Sequence, residues 1–109
     1  MTEIHDTDAK LRDAIQLETG LIAWKNLARF FAHGNAIAVD AELDLVEAAF
    51  QMARDNKAVI EQWMAAGKLA KVSDEQAKTW FAAETVVSAI VVKPWVLVQT
   101  REKHNQMQP

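Results

Sequence analysis

Residues 86–99 constrain this chain more than any other stretch. Val86, Val87, Ala89, Ile90, Val91 and Val92 place apolar, mostly β-branched side chains on both alternating faces of a strand, and after Lys93-Pro94 the pattern resumes as Trp95-Val96-Leu97-Val98. A strand that is apolar on both sides must be covered on both, by helices of its own chain or by another subunit. Pro94 cannot donate to a sheet ladder, so it marks a bend, a bulge or an edge within the segment. A membrane span takes about 20 apolar residues. This run is shorter and carries Lys93 and Pro94 near its middle, so it reads as strand and no membrane partner is expected.

The remainder alternates helix signals with short strands. Residues 7–18 form a helical candidate with Leu11, Ala14 and Ile15 on one face, and with Asp6–Lys10 and Asp8–Arg12 as opposite charges four apart, until Gly20 breaks it. A second helix carries Trp24, Leu27, Ala28 and Phe31 inward and stops at Gly34 after His33. Residues 36–39 are a short apolar run rich in strand formers, and Asp40 after them can cap a third helix over residues 41–54. Its breadth of apolar surface, with Leu43, Val46, Phe50 and Ala53 beside Leu45, Ala49 and Met52, implies burial on more than one side. The pattern loses phase at Asp55-Asn56 and restarts as Val59, Ile60, Trp63 and Met64, a fourth helix ending at Gly67. Residues 69–72 alternate with lysines as a strand with one wet face. Ser73 and Gln76 then form a capping box, which opens a helix burying Ala77, Trp80 and Phe81.

With 109 residues, one core suffices, and half the residues are hydrophobic, as in ordinary soluble domains. The expectation is a single domain over residues 1–109, ordered from about 7 to 100, with frayed tails at 1–6 and 101–109. A formal charge of −3 lacks the basic field that drives sequence-independent nucleic-acid binding. The absence of cysteine removes disulfides, thiolate nucleophiles and cysteine metal sites, and suits a reducing compartment. The polar, acidic residues 1–8 lack the apolar stretch of a signal peptide.

Few residues point to chemistry. Asp40, Asp44 and Glu47 lie four and three apart, so on one helix they project from one side and offer carboxylates to a hard cation such as magnesium; first-turn acids are equally expected for capping and for the helix dipole alone. His33 is the one histidine outside the expected tails, which hold His5 and His104; it is a candidate general base, and a cation at a helix C-terminus is the competing explanation. Ser73 and Ser88 lack a nucleophile turn, and Gly20, Gly34 and Gly67 form neither a P-loop nor a dinucleotide fingerprint. No cofactor is expected. Trp24, Trp63, Trp80 and Trp95 fit core packing, or alternatively a ligand pocket, with Trp95 after Pro94 standing out as an interface anchor.

Glu18-Thr19, Trp24-Lys25, Phe30-Phe31-Ala32, Asp74-Glu75-Gln76-Ala77 and, most specifically, Leu43-Asp44-Leu45-Val46-Glu47 and Pro94-Trp95-Val96-Leu97-Val98-Gln99 resemble a family of small bacterial proteins, the domain-of-unknown-function family 2288. The resemblance covers about residues 11–100. It implies a bacterial, cytoplasmic protein and brings no activity with it. Ala23 and Ala41 depart from the family pattern, which starts the second helix with Ser or Pro and the third with Pro.

The fold expected is α+β: a mostly helical single domain with a small sheet of about three or four short strands, built from residues 36–39, 69–72 and 86–99. The function favoured is a non-enzymatic module that self-associates through Trp95, Val96, Leu97 and Val98, because few helices remain to cover that two-sided segment. The alternatives are a metal-assisted enzyme using Asp40, Asp44 and Glu47, and a small-ligand binder lined by tryptophans.

Overall fold

A computed structural model describes residues 19–100 together with Lys10, Leu11 and Ala14. Those three are helical and Leu11 packs against the core, while the rest of the helix expected over residues 7–18, its charge pairs and both tails lie outside the described residues. The elements are β1 (Gly20–Ala23), a 3-10 turn (Trp24–Leu27), α1 (Ala28–Ala32), β2 (Ala36–Val39), α2 (Leu45–Ala53), α3 (Lys57–Ala65), β3 (Leu69–Lys71), α4 (Asp74–Ala82), β4 (Val86–Val92) and β5 (Trp95–Gln99). The architecture is α+β.

The sheet has five strands in the order β1-β4-β5-β2-β3, one or two more than the sequence suggested. Two features account for the difference. Gly20 does not merely break a helix but opens β1, which pairs antiparallel with β4 from Gly20↔Ala89 to Ala23↔Val86. Lys93-Pro94 forms the tip of a hairpin, across a cis peptide bond, so residues 86–99 make two antiparallel strands with Val92 opposite Trp95. β5 then runs parallel to β2, with Ile37 beside Leu97, and β3 pairs antiparallel on the far side of β2. The segment that looked like an edge is therefore central.

Helices cover both faces of this sheet. Ile90, Leu97 and Ile37 line up across three strands and meet Leu45, Ala48, Ala49 and Phe50 of α2. The alternate residues Val87, Ala89, Val96, Val98 and Ala36 face Trp24, Leu27, Ala77 and Trp80 from the 3-10 turn and α4. On that side Trp24 and Trp80 meet edge to face, with ring centroids 5.1 Å apart. The choice left open by the two-sided strand is thus resolved within the chain.

Local signals set the helix ends. The Ser73 box is fully formed: Ser73 Oγ accepts from the Gln76 N–H at 3.0 Å and Gln76 Oε1 from the Ser73 N–H at 3.0 Å. The α1, α2, α3 and α4 ends share one pair of closing bonds, at Gly34-Asn35, Asp55-Asn56, Gly67-Lys68 and Glu84-Thr85, where the first residue of each pair has positive φ. Three expectations are corrected. Trp24–Leu27 is a 3-10 turn ahead of a short α1, not the first turn of a regular helix. α2 starts at Leu45, with Asp44 rather than Asp40 as its cap. Phe81 is 63% exposed, because Ala77 and Trp80 already make the inward stripe of α4 and the next residue is rotated about 100° away from Trp80.

Candidate functional site

The acidic turn is a loop stitched to the sheet, not a helical face of carboxylates. Asp40 Oδ1 accepts from the Glu42 N–H at 2.8 Å, and the Leu43 N–H closes on the Asp40 carbonyl at 2.9 Å. Gln99 Nε2 donates to the Asp40 and Leu43 carbonyls, which holds residues 40–43 out of the helix. Asp44 Oδ1 accepts from the Val46 and Glu47 N–H groups as the α2 cap. Glu47 accepts from Gln51 Nε2, and Gln51 in turn accepts from Asn56 Nδ2, a relay that ties α2 to the start of α3. Asp40 thus leaves the shared face expected with Asp44 and Glu47, because the first is in a loop and the second at a cap. Among the described residues no group of three or more histidines, cysteines or acids is gathered as a metal would need.

Glu42, another acid of this turn, pairs with Lys68 at 2.8 Å. That hydrogen bond, and then the carboxylate's charge, raise Lys68 above the ordinary lysine value. His33 is exposed at the end of α1, where its Nδ1 donates to the Arg29 carbonyl at 2.8 Å. This is the helix-closing contact of a C-terminal histidine, and one ring nitrogen is committed to it.

The residues proposed as an interface separate. Val96, Leu97 and Val98 are each 0% exposed, covered by the chain's own helices and neighbouring strands, so they offer no surface to a second molecule. Trp95 is only half-buried. It lines a groove of about 540 Å³, larger than two other concavities of about 320 and 350 Å³ and within the range of small-ligand sites. Ile37, Leu69, Ile60, Met52, Val92 and Trp95 make the apolar lining, α3 forms one wall with Met64, and the hairpin forms the other.

The charged side chains in the lining are Asp55, Lys57, Glu61, Lys71 and Lys93. Sequence reading missed this site because its parts come from α2, α3, β2, β3 and the hairpin, none of which carries a motif. Two signals pointed toward it: Trp95 following Pro94, and the lysine-alternating residues 69–72. The other tryptophans lie elsewhere; Trp24 and Trp80 are buried in the opposite layer, and Trp63 packs half-buried against the α2 side of the core.

A family described as "Protein of unknown function (DUF2288)" matches residues 10–100. The fold is similar to the NMR solution structure of PA1075 from Pseudomonas aeruginosa, with a TM-score of 0.74 and 39% sequence identity over 84% of this chain and 85% of that one. Among curated proteins nothing matches the chain. No helix among the described residues is long and apolar enough to cross a membrane.

Proposed function

Since the chain belongs to the DUF2288 family, whose description names no activity, we propose a function from its geometry: a non-enzymatic binding module whose site is the groove between α3 and the β4–β5 hairpin. The observation that carries this reading is the apolar lining itself. Half-buried Trp95 and Met64, which is 52% exposed, stand around a concavity that the described residues leave uncovered. Apolar surface concentrated in a cleft of this size is what a small ligand would cover on binding.

The test is a protein-detected NMR titration of the full chain against small apolar compounds. The expected result is movement of the Trp95 indole N–H and the Met52 and Met64 methyl resonances, with Met64→Glu abolishing it. Movement confined to other surfaces, or none across compounds of graded chain length, would sink the reading.

Self-association is a second reading, favoured by a different surface from the one expected. Leu21 is 64% and Val86 53% exposed, and the register of β1 on β4 sets both on one face beside an outer strand that carries no charge. Native sheet edges are commonly protected by charge or proline, and β1 has neither. A bacterial, cytoplasmic setting is part of this proposal, and the relation to the Pseudomonas protein supports its bacterial part.

A further inference from the structure

The charges around the groove are not scattered along it. Three residues join α3 to β3 and the two elements pack on each other, so the start of α3 and the finish of β3 are both the ends remote from that connection. Lys57, at the start of α3, therefore falls at the same end as Lys71, at the finish of β3. The sheet register adds Lys93 to that end. Lys71 is level with Ile37, Ile37 is level with Leu97, and the hairpin tip lies beyond Trp95 in the same direction. Met64 and Leu69 lie at the opposite end. The groove is thus polar along its length, with three lysines against the single carboxylate Asp55 at one end, Glu61 on the α3 wall, and an apolar far end.

Resting on the groove reading above, we infer that the occupant is a small amphiphile, an unbranched acyl chain ending in an anionic head, with the head at Lys57, Lys71 and Lys93 and the chain running toward Met64 and Leu69. The lining contributes no hydroxyl or amide side chain; beyond the Trp95 indole N–H its donors and acceptors are charged, and lysines outnumber carboxylates. Lysine ammonium groups act as point charges that accept carboxylate or phosphate without demanding a fixed geometry. Methionines at Met52 and Met64 suit a flexible chain, because the thioether side chain adapts to irregular apolar surfaces.

The experiment compares decanoate, decanol and decyltrimethylammonium, each below its micelle concentration, by calorimetry and NMR titration of the full chain. Decanoate is expected to bind at least ten-fold more tightly than decanol, and the ammonium compound more weakly than either. Lys71→Gln with Lys93→Gln should bring decanoate down to the level of decanol while leaving decanol unchanged. Both lysines are exposed, and an unaltered melting temperature would show that the variant folds. Equal binding of decanoate and decanol would overturn the anionic head while sparing the groove as a site. Failure of all three compounds to bind would overturn the groove reading itself, and decyl phosphate against decanoate separates a phosphate head from a carboxylate. An acidic amphipathic peptide that outcompetes decanoate would overturn the assignment to a small molecule.

Discussion

Glu84 holds φ at 54°, a left-handed conformation that costs a residue with a Cβ about 1–2 kcal/mol and that glycine adopts freely. It does so because the α4 end closes with the same two bonds as the ends at Gly34 and Gly67, where glycine is present. Glycine's greater freedom in the unfolded chain offsets part of the gain. Glu84→Gly should therefore stabilise the protein by up to about 1 kcal/mol, a rise of about 4 °C in melting temperature by calorimetry. A fall would show that the Glu84 side chain contributes more than its backbone costs. Ser73 illustrates the opposite case, in which a side chain and its position agree. Ser73 and Gln76, three positions apart, spell the box, and no distant contact is needed to read it.

Among the elements, β5 decides the fold's geometry. Its register places Leu97 toward α2 and Val96 and Val98 toward the 3-10 turn and α4, so one strand joins the two halves of the core. Leu97→Ala removes a side chain that is fully enclosed and should cost about 2–5 kcal/mol in chemical denaturation. A loss well under 1 kcal/mol would mean that the layers on either side are not held together through this strand. The two-sided apolar pattern of residues 86–99 was legible in the sequence, and so was the need to cover it. That the cover came from the same chain was not, because few helices remained to be assigned to that two-sided segment. The 3-10 turn and α4 suffice for one face by packing together, with Trp80 against Trp24.

At the scale of the molecule, the Trp95 groove and the Leu21–Val86 patch are apolar surfaces at opposite sides of the sheet order among the described residues. They make separable predictions. If the patch mediates self-association, light scattering at micromolar concentration gives a mass above 12.2 kDa, and Leu21→Asp returns the monomer without changing ligand binding in the groove. A monomer mass for the unmodified chain would end that reading and leave the groove untouched.

The sequence by itself determined what short stretches can settle: the Ser73 cap, the stops at Gly34 and Gly67, the β-branched runs, and a chain with no catalytic motif. Capping, turn conformation and side-chain periodicity act within a few residues, so their outcome is written where they act. Tertiary structure decided the rest. Whether Asp40 or Asp44 begins α2 depends on Gln99, which bonds the Asp40 and Leu43 carbonyls from across the fold. The groove exists only because a turn, a register and a hairpin bring Lys57, Lys71 and Lys93 to one end. Contacts between segments far apart in the chain carry no local signature, since their free energy is released only when the layers close on one another.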